Sequence, residues 1–269
     1  MNKIIGWLKC NIFQLQKKEG KNMKLTKFNI SKAELLSIPE KELELFIQLT
    51  NFYNDINILQ KLMVISGISR EKANNNKIVK MSLSSQALFF MRIQAGKLYE
   101  GWNMLGKHFY KNKAFSLEYN KNGSPEGKKA LSEIKKYFGG NNFIKQIRNK
   151  YAFHYSKESS EEMVKQITNA PESEIFEIFL SEEVGNCFYS IAHDLLNSSI
   201  LDEIGSDDWA KAMNRFFQEI MHVTKLFLDF AKDCIRVISE KYLQLNYEEV
   251  QIPEPPSLND IRLPFFVKR

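Results

Sequence analysis

Cysteine is scarce and scattered. Cys10, Cys187 and Cys234 are the only three in 269 residues, with no CxxC pair and no Cys/His ligand spacing. That argues against a zinc ribbon or a disulfide-stapled scaffold, and an odd, widely spaced set fits a reducing compartment. No apolar run approaches the roughly 20 residues that a membrane span needs. Residues Met1 to Phe13 are apolar but broken by Lys9, and they lack a small-residue cleavage site, so a secretory signal is not expected. The reading is a cytoplasmic protein with no membrane partner. P-loop, GxGxxG, HExxH and nucleophile-elbow patterns are also missing, which leaves kinase, dehydrogenase and protease chemistry without support. There is no internal repeat and no low-complexity run. Histidine is rare too: His108, His154, His193 and His222 are all there are.

What is present describes an ordinary globule, 43% hydrophobic and 26% charged, long enough for a substantial core. The net charge of +6 hides an asymmetry. From Lys107 to Lys150 eleven Lys/Arg face three Glu, a balance of +8; from Glu158 to Asp208 thirteen Asp/Glu face Lys165, a balance of −12. A basic surface attracts a phosphate backbone and makes binding salt-dependent. Lys128, Lys129, Lys135 and Lys136 serve equally as the solvated face of one helix. The acidic block can mimic nucleic acid, screen a site, or bind the basic block of another subunit.

Helical periodicity dominates, so the expected fold is all-α, a bundle with long antiparallel helices. Pro39 to Gly67 reads as one helix: Ser37 offers a cap, Glu40, Glu42 and Glu44 enrich the first turn, and Gly67 follows the end. Leu45, Leu49, Phe52, Ile56 and Leu59 form its core stripe. After a polar loop, Arg70 to Lys77, a second long helix runs from about Val79 to Tyr110, with Leu88, Met91, Ala95, Leu98 and Trp102 on one side. Ser124-Pro125-Glu126 starts a helix that reaches Phe138. Gly139-Gly140 ends it, and Asn141 or Asn142 caps the next. Residues 174–180 read as a short strand or a helical turn, with the strand preferred. Cys187 to Ile204 reads helical, and Ser206-Asp207-Asp208 caps a last long helix to about Leu243. Its stripe of Phe216, Phe217, Ile220, Leu226, Phe227 and Ile235 is core or dimer surface. The proline-punctuated tail from Gln251 cannot be helix, and its apolar Leu263-Pro264-Phe265-Phe266-Val267 suits packing onto the domain or docking into a partner subunit. Three parts follow: an extension, 1–23; one helical domain, 24–250; and a tail, 251–269.

The chemistry concentrates in Ile147-Arg148-Asn149-Lys150-Tyr151-Ala152-Phe153-His154-Tyr155. Arginine neutralises phosphate with several fixed donors, and histidine moves a proton near neutral pH. Six positions along a regular helix turn through about 240°, which puts the two side chains on different faces. For Arg148 and His154 to reach one phosphate, the helix must kink, or a second subunit must supply the partner group. Arg215 and His222 repeat the pairing with six residues between, but seven positions apart they stack on one helix face, a bland surface arrangement. His193-Asp194 points in directions about 100° apart and makes a poor dyad. His108 flanks the basic block and reads as a surface residue within reach of phosphate.

The segment "FIKQIRNKYAFH" resembles the signature of the HEPN superfamily, small helical proteins of bacterial defence and toxin–antitoxin systems. That signature is an arginine, usually followed by Asn, Asp or His, then a histidine after four to six residues. Arg148, Asn149 and His154 match it, behind apolar Phe143, Ile144 and Ile147. The strict resemblance covers about a dozen residues. It implies a homodimer with facing motifs that cuts RNA without metal or other cofactor. His154 would be the general acid/base; Arg148 would hold the phosphate, with Asn149 beside it. Lys145 and Lys150, with the four lysines above, would bind RNA. Some members add an acidic residue from a neighbouring helix to orient the histidine, and Glu100 in "KLYEGW" is placed for that. Members silenced by a nucleotidyltransferase carry a tyrosine two places after the histidine. Here Ser156 takes that place and Tyr155 is adjacent, a supporting residue at most. Length and the two leading helices look more like the abortive-infection members; an antitoxin protein is a candidate partner. The runner-up is a HEPN-like dimer that binds RNA, nucleotide or a partner protein without cutting. A third reading is a structural protein whose motif is coincidence.

Lys17-Lys18-Glu19-Gly20-Lys21-Asn22 precedes Met23, and codons for Lys-Glu-Gly can spell a purine-rich ribosome-binding sequence. Translation is therefore expected to start at Met23. Intact mass of protein made from the native gene checks this, and a mass matching residues 1–269 would refute it.

Overall fold

The computed structural model describes residues 23–73, 75–152, 157–183, 185–205, 208–244 and 246–268. The expected extension up to Asn22 lies outside them, as do Ser206 and Asp207. Over the described residues the chain is mostly helical, with a few short strands. None of these helices is long and apolar enough to cross a membrane.

Strand β1 (Met23–Asn29) leads to a short helix α1 (Lys32–Ser37). Ser31 starts α1 through a capping box: its hydroxyl accepts from the Glu34 amide, and the Glu34 carboxylate accepts from the Ser31 backbone N–H at 2.7 Å. Helix α2 (Glu40–Lys72) begins at Pro39, whose fixed φ of −55° aims the chain into the helix without a side-chain cap. Ser37 therefore does not cap α2, as its sequence position suggests. It closes α1, its hydroxyl donating to the Glu34 carbonyl. Nor does α2 stop at Gly67. Nothing stands near that glycine, and the helix continues one turn to Lys72, so the polar loop shrinks to a few residues.

Helix α3 (Lys77–Met104) starts on Asn76, whose side chain accepts from the Val79 amide, and folds back on α2. Three polar pairs fix an antiparallel register: Arg70 on Ser84, Gln86 on Ser66, and Lys97 on Asp55. A widened π-helical turn, Leu105–Phe109, ends it. Helices α4 (Lys113–Asn122) and α5 (Pro125–Phe138) follow, the second capped by Ser124 with Pro125 at its first position. Further on come α6 (Phe143–Ile147), a second π-helical turn (Arg148–Ala152) and α7 (Lys157–Asn169). Strands β2 (Ile178–Phe179) and β3 (Phe188–Tyr189) pair antiparallel. Helix α8 (Ser190–Ile204) and the long α9 (Trp209–Tyr242) precede β4 (Asn246–Ile252). The strand expected within 174–180 is thus present but short, and the helix expected from Cys187 starts at Ser190 because Phe188 and Tyr189 pair with β2.

The core forms where α9 lies across α2, α3 and α5. Leu45, Leu49 and Ile56 of α2, Ala95 and Leu98 of α3, and Phe216, Ile220, Phe227 and Phe230 of α9 are fully buried. Each such large apolar side chain contributes about 1.5–3 kcal/mol of transfer free energy. The α9 stripe is core rather than dimer surface, although Phe217 and Ile235 are only partly buried. Gly101 lets the layers meet: a side chain there would collide with the Phe52 ring, which packs on Phe227 at 5.1 Å between centroids.

One feature was absent from the expected architecture. β1 and β4 pair antiparallel in a seven-residue ribbon, Met23 against Ile252 and Asn29 against Asn246. The tail beyond it packs back onto the domain. Leu263 is bonded through its amide to Ser69 and through its carbonyl to Gln86, Phe265 meets Phe188, and Asn186 exchanges two hydrogen bonds with the Val267 backbone.

Asp233 on α9 holds the α4–α5 corner. Its Oδ2 accepts from the Tyr119 hydroxyl and the Ser124 amide, both at 2.9 Å, and its Oδ1 accepts from Arg236 at 2.8 Å. Burial alone would raise its pKa; the Arg236, Tyr119 and Ser124 bonds outweigh that and hold it below the ordinary carboxylate value. Asp233→Ala should cost about 2–4 kcal/mol in urea unfolding at neutral pH, because it strands a buried hydroxyl and an amide. A lowered folded pKa contributes stability above the unfolded value, lost as pH falls through the folded one. The gap between wild type and variant should therefore narrow as pH drops below about 4. A difference under ~0.5 kcal/mol at neutral pH would show that the corner holds without this carboxylate.

Candidate functional site

The motif helix is set by its cap. Asn142, buried to 7% exposure, accepts from the Lys145 amide at 2.9 Å and donates to the Gly140 and Tyr137 carbonyls. Of the two asparagines offered by the sequence, Asn142 is the cap. Ile144 and Ile147 are fully buried and anchor α6 against α3. The helix then changes character at Arg148, where regular α spacing gives way to the π-helical turn. Such widened turns are rare and occur frequently at functional sites. Tyr151 is buried at the turn's inner side, and its carbonyl accepts from Arg92 of α3 at 2.9 Å. Burial first, then the Glu162 and Glu203 carboxylates, raises the Tyr151 hydroxyl's pKa, so it stays protonated.

Arg148 emerges from this turn with its guanidinium already oriented. Nε and Nη2 donate to Glu100 Oε1 at 3.2 and 2.8 Å, and Nη1 donates to Asn149 Oδ1 at 3.3 Å. Its charge centre stands 5.5 Å from the Tyr99 ring centroid, a cation–π contact. Tyr99 packs on Phe138, which stacks on Trp102 with planes 10° apart. An aromatic shelf built by α3 and the end of α5 thus carries the arginine.

The other expected site residues distribute unevenly. His154 and Tyr155 lie outside the described residues. Glu100 is in the site, and its described partner is the arginine. Asn149 and Lys145 are exposed beside Arg148 on the chain. Lys150 is tied to Glu203 of α8 by an ion pair. On α5, Ala130, Leu131, Ile134 and Phe138 face the core while Lys129, Lys135 and Lys136 are exposed. Lys128 donates to the Lys121 carbonyl, and Lys129 lies 3.9 Å from Glu133. The lysines do form a solvated helix face, and only Lys135 and Lys136 stand at the end that meets the shelf.

Beside α6 lies a cleft of about 460 Å³, lined among others by Gln146, Glu203, Arg215 and Glu219. Arg215 of the second pairing opens into it, whereas His222 is 62% exposed and 3.9 Å from Glu133. His108 Nδ1 faces Glu44 at 3.5 Å. Sequence reasoning missed Tyr99 and Arg92. Tyr99 adjoins Glu100, yet nothing in the chain pattern marks Arg92 as the support of a turn some sixty residues away. Among the described residues, no group of three or more His, Cys, Asp or Glu is placed to hold a metal ion.

Comparison with protein-family models, with curated proteins and with solved structures finds no match for this chain.

Asn142→Ala should cost about 1 kcal/mol in denaturant unfolding and accelerate amide exchange at Lys145 and the motif turn beyond the global change. Unchanged local exchange would mean that contact with α3 alone holds the turn.

Proposed function

We propose that the chain is an endoribonuclease of the HEPN type, acting in bacterial defence or as a toxin. The observation that carries this reading is the widened turn at Arg148, which carries a pre-oriented guanidinium beside Asn149. A departure from regular helix at this point is one of the two ways in which Arg148 and His154 can reach one phosphate, a second subunit being the other. The aromatic shelf and the Glu100 bond reduce the rotamer entropy that Arg148 would otherwise lose on binding phosphate.

In the proposed reaction His154 takes the proton of an RNA 2′-hydroxyl, whose oxygen attacks the adjacent phosphorus. The P–O5′ bond breaks, and the leaving oxygen takes up a proton. The products are a 2′,3′-cyclic phosphate and a 5′-hydroxyl. Acid/base assistance of this kind is worth about 10²–10⁴-fold, and Arg148 stabilises the charge growing on the phosphate oxygens. No metal takes part in this scheme. A second copy of the chain faces the first across the motif and completes the cleft. Lys145, Lys135 and Lys136 add electrostatic attraction for the strand.

One observation favours the runner-up, a dimer that binds RNA or a partner without cutting. Glu100 occupies two of the arginine's donors and neutralises part of its charge. Phosphate must then bind through the remaining edge or displace the carboxylate.

Incubation of the purified protein with total bacterial RNA in EDTA, beside His154→Ala and Arg148→Ala, separates these readings. Discrete cleavage ending in cyclic phosphate, lost at least 100-fold in both variants, is expected. Intact RNA in every lane, with salt-dependent binding retained, would replace cleavage by the binding-module reading.

A further inference from the structure

The β2–β3 hairpin turns one face inward and leaves the other bare. Phe179 and Phe188 stand opposite each other with ring planes 7° apart, and Phe188 is buried against Phe265 of the tail. Alternation along a strand sends the other pair, Ile178 and Tyr189, to the opposite face. Both are 55% exposed. On the same stretch of chain Ile175 is 80% and Leu180 73% exposed, with Phe176 and the tail's Val267 exposed as well. Single exposed apolar side chains are ordinary, whereas a group of them with a polar rim marks an interaction surface.

The hairpin also has an open side. β2 pairs with β3 alone, in a two-stranded sheet. Ile175 and Phe176, just before it, make no backbone hydrogen bond among the described residues. A free strand edge is a template for another strand, and proteins usually blunt such edges with lysine or proline. From Glu172 to Asn186 the chain has neither.

Charge decides what kind of strand fits. The apolar residues are bracketed by Glu172 and Glu174 on one side and by Glu182 and Glu183 on the other, with Glu177 between. Glu177 has Lys77 at 3.6 Å, and Glu183 accepts from the Asn186 amide at 2.8 Å. The side chains of Glu172, Glu174 and Glu182 have no hydrogen-bond or ion-pair partner among the described residues. Lys268, next to Val267, offsets part of this charge. Like charges disfavour the same edge of a second copy, a phosphate backbone and an anionic membrane alike.

We propose that the open edge of β2 takes up an extended segment of a partner protein as an added strand, apolar at its centre and bracketed by Lys or Arg. Backbone pairing supplies affinity, the apolar centre covers Ile178, Leu180 and Tyr189, and the flanking cations meet Glu172, Glu174 and Glu182. None of these residues belongs to the Arg148 site, so the inference stands whether or not the protein cuts RNA.

The probe is a capped peptide, Thr-Val-Thr-Val-Thr with two lysines at each end, titrated into the full chain by fluorescence anisotropy. One control replaces its lysines with glutamates. Another is N-methylated at two successive central residues, which blocks both edges. Saturable binding is expected for the lysine peptide, with both controls weaker by about tenfold or more. Ile178→Lys/Leu180→Lys, at exposed positions, should weaken it by a similar factor, and Glu174→Lys/Glu182→Lys should turn the preference toward the glutamate peptide. No saturable binding at millimolar peptide overturns the proposal, as does equal binding of the lysine and glutamate forms. Undiminished binding of the N-methylated form would rule out strand addition. A dimer in sedimentation that Ile178→Lys/Leu180→Lys splits would seat a second copy on the edge, and overturns it too.

Discussion

The fold turns on a carboxylate buried against α9. Asp233 gathers the Tyr119 hydroxyl, the Ser124 amide and the Arg236 guanidinium, and so pins the corner where α4 gives way to α5. Gly127 belongs to the same knot, since any side chain there would strike the carboxylate and the tyrosine. Once the start of α5 is fixed, its apolar face can only run along α9, and its last residue, Phe138, comes to rest against Tyr99 and Trp102. That is the shelf on which Arg148 lies. A polar bond at one end of a helix thereby determines where a guanidinium stands at the other. Buried charges are costly unless fully paired, and this one has a donor on each oxygen.

Elements whose residues pack along a helix face were legible in the sequence. The stripes of α2, α3 and α9 lie in the core or against it, except for half-buried Leu59, and Ser124-Pro125, Asn142 and Asp208 cap the helices they announce. Local rules failed where tertiary context outweighed them. Gly67 reads as a stop signal, but the α2–α3 pairing continues past it and carries the helix to Lys72. The β1–β4 ribbon was invisible because its strands are far apart in sequence and bury almost nothing; β1 is exposed at every residue. It is held by backbone pairing and by surface ion pairs such as Lys24–Glu249. At the site, Arg148 and Asn149 were marked by residue type. The Tyr99 support, the Arg92 strut and the widened turn come from packing between α3 and the motif, which no local pattern encodes.

The opposed charge blocks meet within one chain. Lys150, from the basic stretch, pairs with Glu203 of α8, from the acidic one, and Tyr151 bonds to Glu162 of α7. Of the roles the acidic block can play, pairing with basic residues is realised here in cis, on the flank of the motif turn. The turn is held from two sides, by Arg92 behind it and by α7 and α8 beside it. The guanidinium at its start is left toward the shelf and Glu100.

The ribbon also determines how the chain responds to tension. Because β1 and β4 run antiparallel with Met23 opposite Ile252, pulling on the segments that flank them loads the pairs one at a time from that end. Such a joint peels like a zipper, at low force, where a joint loaded in shear would resist with all its bonds together. It can open as far as Asn29 and Asn246 while the helices between stay packed. Load on the tail falls first on its own bonds at Ser69, Gln86 and Asn186, and on the ribbon once those have opened.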